Sequence, residues 1–393
     1  MLKVSKYILL LFLGVLILPV LLFASNQEKP LNFFNVRTAA MGGAYVAIAD
    51  DNYALVSNPA GLIQQKTSRW KLLEFQMGIG EEILDRLDEI QEIANDLEGE
   101  EQTEALGDLV PLKSNFKLSG SFLNYTGPSL SFLDFLGSNF GVGGFAQSSM
   151  KGDLLRPTLP TVVAEGYADI AFVLGFAKPL DLDWVPAENA FGYSLKYINR
   201  TYTPEFRQSA TSIINDEIDP PEYSNASGFA IDLGLLSNTD IPYIGNAKLG
   251  FVVQNIGGTL SGKSYDVSGN VIDSSYQETL PITSKIGIAW NPNLDVDWPV
   301  VSLLNGKLTV AADYDLFIPE ITFWERVHMG AEKRLFNDIF AIRFGSNQGY
   351  ITWGAGVDFF MFHMNYAYYL EEIGSKVGDD PATYHIMDMS FTI

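Results

Sequence analysis

The sequence predicts an all-β chain: a transmembrane antiparallel up-and-down β-barrel of about 14 strands, with an N-terminal plug in its lumen and a helical insertion in its first external loop. Three observations carry that expectation. Beyond about residue 67, apolar residues alternate with small or polar ones, the period of a strand with one greasy face. The opposite face is rich in Gly, Ala and Ser with isolated charges. A soluble sandwich would place many more charges on its wet side, so the apolar face is expected to meet lipid. The third observation is a leader. Lys3 and Lys6 precede an uninterrupted apolar run from Tyr7 to Phe23, then Ala24-Ser25, which reads as a signal peptide over 1–24 cleaved near Ala24. The run approaches spanning length, so a membrane anchor is the competing reading.

Composition narrows the chemistry. The chain has 393 residues, 47% hydrophobic and 13% aromatic, enough for one large β domain or two ordinary ones. Cysteine is absent, which excludes disulfides, thiolate metal sites and thiol nucleophiles. The net charge is −22, and loss of the leader removes two lysines and no acid. Such a chain repels nucleic acid and anionic headgroups.

After the leader, residues 25–66 are expected to form the enclosed segment and 67–393 the barrel. Arg37 to Leu62 is dense in small residues, too small-sided for a core-building strand. Gly42 and Gly43 permit positive φ and close approach of another wall. Asp50 and Asp51 are candidate N-caps for a short helix over Asn52 to Val56, ended by Asn58-Pro59. The pattern Arg37, Met41-Gly42-Gly43-Ala44-Tyr45, Ala47, Ala49-Asp50-Asp51, Ala54 and Asn58-Pro59-Ala60-Gly61-Leu62 resembles the N-terminal segment of the FadL/OmpP1/TodX-type outer-membrane superfamily, which includes PorV-like barrels. In that family the segment is a plug, or hatch. The resemblance implies that Arg37, Met41, Gly42, Gly43, Ala44, Asp50, Asp51, Asn58, Pro59, Ala60 and Gly61 form a plug or gate.

Strands are expected from Trp70 to Met77 onward. Phe191, Tyr193, Leu195 and Tyr197 alternate with Gly192, Ser194 and Lys196; Leu308, Val310, Ala312 and Tyr314 alternate with Thr309, Ala311, Asp313 and Asp315. Strand lengths of about 9 to 11 residues suit a tilted bilayer crossing. Long external loops are expected at Gly80 to Thr126, Lys151 to Ala164, Tyr202 to Ser227, Ile256 to Leu280, Ile318 to Trp324 and Glu371 to Pro381. Tight turns are expected at Leu136 to Asn139, at Asn337-Asp338 and at Asp358-Phe359, where the parity of the apolar set changes. Within the first loop, about 80–110, Ile83, Leu84, Leu87, Ile90, Ile93 and Leu97 recur at helical spacing among acids, an amphipathic insertion able to cover the mouth. The last strand puts Met387, Met389, Phe391 and Ile393 on one face. It is expected to close the barrel against the first strand, and it resembles the signal read by the outer-membrane assembly machinery.

Catalytic chemistry finds little support. His328, His363 and His385 fall on three strands with no metal-binding spacing, and no phosphate loop is present. No cofactor, metal or enzymatic activity is expected. Inward charges Asp313, Asp315, Glu332, Arg334 and Arg343 form a ladder on three consecutive strands, a lining to which Arg37 can anchor the plug. The resemblance implies a monomer in outer-membrane lipid that takes up hydrophobic small molecules, long-chain fatty acids among them, passively past the plug. The PorV-like alternative, matched by Asp232-Leu233-Gly234 and Gln254-Asn255-Ile256-Gly257, implies a docking or secretion partner of other proteins.

Overall fold

The computed structural model describes residues 31, 33, 35–156, 158–182, 187–214, 221–292, 306–316, 322–372 and 377–393; the expected leader lies outside them. The alternating sequence folds into fifteen strands among the described residues: β1 (Arg69–Gly80), β2 (Leu112–Pro128), β3 (Asn139–Leu155), β4 (Thr161–Leu180), β5 (Glu188–Ser209), β6 (Tyr223–Ile241), β7 (Gly245–Tyr265), β8 (Val271–Thr279), β9 (Thr283–Pro292), β10 (Leu308–Leu316), β11 (Val327–Leu335), β12 (Phe340–Asn347), β13 (Tyr350–Phe359), β14 (Phe362–Glu372) and β15 (Pro381–Thr392).

All pairings are antiparallel, and β15 returns to β1 with Glu74 opposite Ser390 and Met77 opposite Met387. β7 pairs with β6 along its length and with β9 along its first half. β8 pairs only with the second half of β7, so the closed ring contains fourteen strands and β8 is an added arm. Closure removes the edges an open sheet would expose.

The side-chain parity is that of a membrane barrel. Phe75, Phe172, Phe229, Phe344, Ile351 and Met389 are each more than half exposed on the outer face, while Glu74, Asp169, Asp232, Arg343, Thr352 and Asp388 are buried on the inner one. A continuous apolar exterior around a polar interior is stable only in lipid. No described helix is long and apolar enough to cross a membrane.

Strand lengths depart from the expected 9 to 11 residues. β2 to β7 run 17 to 22 residues, whereas β9 to β15 run 8 to 12. At about 3.3 Å per residue the longer set projects well past a bilayer. Several expected loops are therefore strand: β2 starts at Leu112, β3 and β4 extend to Leu155 and from Thr161, and Ile256 to Leu280 is largely the β7–β8 hairpin. These projections are polar on both faces in places, so apolar alternation alone ended them too early. The connection expected at Leu136 to Asn139 spans 129–138, and the turn expected at Asp358-Phe359 is Phe360-Met361. Residues 157, 215–220, 318–321 and 373–376, within four of the expected loops, lie outside the described residues.

The helical insertion comprises α3 (Glu81–Asp85), α4 (Leu87–Asp96) and α5 (Gly99–Asp108). Its labels follow α1 (Val36–Ala40) and α2 (Ala54–Ser57) in the enclosed segment. Ile93 and Leu106 pack with Leu112 and Leu154, and Ile90, Leu97 and Val162 join them. Leu112, Leu154 and Val162 are register partners on the outward parity of β2 to β4. The insertion thus lies against the outside of the projecting wall and does not cover the mouth. Leu84 and Leu87 remain exposed.

Candidate functional site: the enclosed N-terminal segment

Asn35 to Gln65 lies inside the ring of strands. Ala40, Met41, Ala44, Ala47, Ala49, Ala54, Leu55, Asn58, Ala60 and Leu62 have no measurable exposure. Local chemistry shapes it. Asn35 caps α1 by accepting from Thr38 N, and Asp51 Oδ1 accepts from Tyr53 N at 2.8 Å and from Tyr45 Oη at 2.7 Å. The helix expected over Asn52 to Val56 is α2, two residues later. Asn58 is extended at φ −147°, its side chain accepts from Ala60 N, and Pro59–Gln64 then form a 3-10 helix. Pro59 at the first helical position needs no amide hydrogen, which is why it starts that turn.

A belt of inward glycines lets the wall touch the segment's backbone. A Cβ built on Gly192 would lie 2.2 Å from Ala60 N, on Gly250 2.6 Å from Val46 O, on Gly330 2.3 Å from Met41 O and on Gly345 2.4 Å from Gly42 N. The segment answers in kind: Gly42 and Gly43 have φ of +65° and +90°, and a Cβ on Gly42 would lie 2.4 Å from both Met329 O and Ser346 O. Sequence reasoning saw these wall glycines only as small lumen residues. Their strand parity marked them as inward, but their contact with the segment's backbone could not be read.

Charge fixes one side. Arg37 meets Glu332 through two bonds, Nε to Oε2 and Nη2 to Oε1, each 2.9 Å, and its Nη1 reaches Asp50 Oδ1 at 2.6 Å. Such a forked pair is the strong form of ion pair. Glu332 also takes Arg343 Nε at 2.7 Å and Arg334 Nε at 3.2 Å, and Arg334 continues to Asp358. A buried carboxylate is tolerable here because each oxygen is met by guanidinium N–H groups.

The expected ladder divides in two. Glu332, Arg334 and Arg343 are interlinked, but Asp313 and Asp315 do not join them. Asp313 Oδ2 accepts the backbone N–H of Tyr45 at 2.6 Å and of Val46 at 2.8 Å. Asp315 pairs with Lys285 at 2.9 Å and with His328 at 3.1 Å, and His328 Nδ1 lies 3.1 Å from Gly42 O. His328 and Lys285 were not expected at the site; their inward parity was the available signal.

The second half of the segment is held mainly by neutral groups, with Lys248 Nζ donating to Gln64 Oε1 at its end. Asn58 Nδ2 donates to Val46 O at 2.9 Å and to Leu235 O at 3.2 Å. Gln254 donates to Val56 O at 2.6 Å and Asn139 to Gln65 O at 2.7 Å. Leu55 and Leu62 pack with Phe145, Val173 and Ile198 of the wall, and Phe33 packs on the same cluster, its ring 5.6 Å from that of Phe145.

Two chambers lie on the short-turn side of the segment. One of about 950 Å³ is bordered by Arg37, Asp50, Glu74, Arg343 and Asp388. The other, about 1020 Å³, is bordered by Ile63, Pro179, Leu180 and Leu236. Among the described residues no cluster of ligating side chains could hold a metal ion. His363 sits 2.8 Å from Asp358, and Asn365 donates to Asp388 at 3.0 Å; both line the first chamber, beside Ser390.

The chain is similar to the toluene transporter TodX of Pseudomonas putida, with 13% identity over 93% of this chain and 98% of that one at a TM-score of 0.48. It is similar to the toluene transporter TbuX of Ralstonia pickettii, with 14% identity, 91% and 97% coverage and a TM-score of 0.48. A Pseudomonas aeruginosa FadL homologue aligns with 10% identity, 93% and 98% coverage and a TM-score of 0.45. No family model and no curated protein matches the chain.

Proposed function

We propose that this protein is an outer-membrane barrel through which hydrophobic compounds, long-chain fatty acids among the candidates, are taken up passively past a luminal plug formed by Asn35 to Gln65. The supporting observation is the lumen itself. It is occupied by a segment that is docked through small residues and hydrogen bonds, not continued from the wall, and on the β3–β6 side this docking includes the apolar contacts of Leu55 and Leu62. A ring of fourteen strands encloses more space than its own side chains fill. A plug that separates two aqueous sides while offering an apolar contact suits a solute that prefers apolar surroundings and excludes water and ions. The glycine belt and the Arg37–Glu332 pair would then set the plug's resting position.

The test is uptake of radiolabelled oleate and naphthalene by proteoliposomes carrying the purified protein, with Asn58→Ala and Pro59→Ala compared with the parent. Uptake above protein-free vesicles, changed at least threefold by Asn58→Ala, supports the reading. Equal absence of uptake in all three removes it.

One observation favours the PorV-like docking alternative: the helical insertion packs on the outer wall through Ile93 and Leu106, away from the lumen. Under that reading the projecting β2–β8 sheet would be the working surface.

A further inference from the structure

We propose that apolar molecules pass on the β3–β6 side of the luminal segment, and that its second half, Ala54–Gln64, yields to them while Val36–Val46 stays fixed to the opposite wall. The proposal rests on the uptake reading above and deepens it by naming the route.

The two halves are bonded differently. Val36–Val46 is tied to β10–β13 by the Arg37–Glu332 fork, by the Asp313 carboxylate on two backbone N–H groups, by His328 on Gly42 O and by Thr352 on Ala40 O. A guest entering there would strip partners from buried charges, the costliest kind of disruption. Apart from Lys248 Nζ, which donates to Gln64 Oε1 at its far end, Ala54–Gln64 meets the wall through neutral hydrogen bonds and through Leu55 and Leu62. A Cβ on Gly175 would lie 2.8 Å from Leu55 Cδ2 and 3.2 Å from Leu62 Cδ1, so the ends of these flexible side chains are what fill the space beside β4. Apolar contact is non-directional, and an apolar guest can replace it without orphaning a polar group. Towards the preceding residues, the neutral bonds of Asn58 to Val46 O and of Gln64 to Ile48 O and Ala49 O have to open.

The column has one apolar end, where Leu31 and Phe33 cluster with Phe145 and Leu260; at the other, Ile63 borders a mixed chamber in which Leu180 and Leu236 stand beside Lys66, Lys248 and Lys307.

Hydrogen exchange of the detergent-solubilised parent protein with and without naphthalene tests the division. Exchange of Ala54–Gln64 amides should quicken at least fivefold while Val36–Val46 stays within twofold; a joint change of both halves, a change of the first alone or no change in either overturns the proposal. In proteoliposomes, Leu55→Ala/Leu62→Ala should raise naphthalene uptake severalfold and Gly175→Phe should lower it at least tenfold, with heat-shifted gel mobility confirming the folded barrel. Should Gly175→Phe not fold, the double truncation decides alone, and unchanged uptake rejects the route. Failure of the parent to take up either probe refutes the uptake reading itself, whereas uptake without the half-specific exchange leaves that reading standing and refutes only the route.

Discussion

Glu332 joins three guanidinium groups and is the residue on which the segment's ionic anchoring converges. Removing its charge leaves Arg37 and Arg343 buried against an amide, so Glu332→Gln is expected to destabilise the docked segment by about 3–5 kcal/mol, the usual cost of breaking one partner of a buried pair. The measurement is the protease concentration that cleaves between Val36 and Val46, compared with the parent. Gly42 makes a different demand. Its φ of +65° and the two carbonyls 2.4 Å from a would-be Cβ mean that Gly42→Ala meets both strain and backbone collision. A loss of at least about 1–3 kcal/mol is expected for the strain alone, read from the denaturant midpoint of the same cleavage. A wild-type midpoint in that variant would show the carbonyls of β11 and β12 free to retreat.

Elements outside the lumen are held by separate bonds and respond to separate conditions. The α3–α5 insertion keeps Ile93 only 3% exposed against the outer wall, so Ile93→Asp places a charge in an apolar seam. Amide exchange across α4 and α5 should then rise to that of an undocked helix while the barrel keeps its heat-shifted mobility. In the β14–β15 connection, burial pushes the Asp380 carboxyl up, but hydrogen bonds from Lys113 and Lys151 outweigh it and hold the group below the ordinary aspartate range. Glu325, in the neighbouring connection, is lowered by the backbone N–H groups of Val377 and Thr322. Lowered carboxylates stabilise above their unfolded value of about 4 and lose that contribution as pH falls through the folded value. These two connections should therefore stay protected from protease between pH 5 and 8 and loosen below about pH 4; loosening on raising the pH instead would contradict the sign.

At the scale of the molecule, the parity of the apolar residues was legible in the sequence because period two admits only one way for a strand to divide its faces, and membrane thickness limits the rest. The fourteen-strand ring, its closure through Met387, Met389 and Phe391, and the inward charges all follow from that. The Met41 to Ala44 and Asn58 to Gly61 stretches announced a segment needing close backbone approach, since small residues in that density have no side chains with which to build a core of their own. What the chain in one dimension did not contain was height and azimuth. Whether Glu332 or Asp313 meets Arg37, whether Gly192 and Gly345 stand at one level, and whether the insertion lies over the mouth or against the wall all depend on the stagger between strands, which accumulates around the ring and is fixed only when β15 pairs with β1. Sequence thus determined which side chains face inward; tertiary closure decided which of them meet, because contact across a barrel is set by register summed over every strand between.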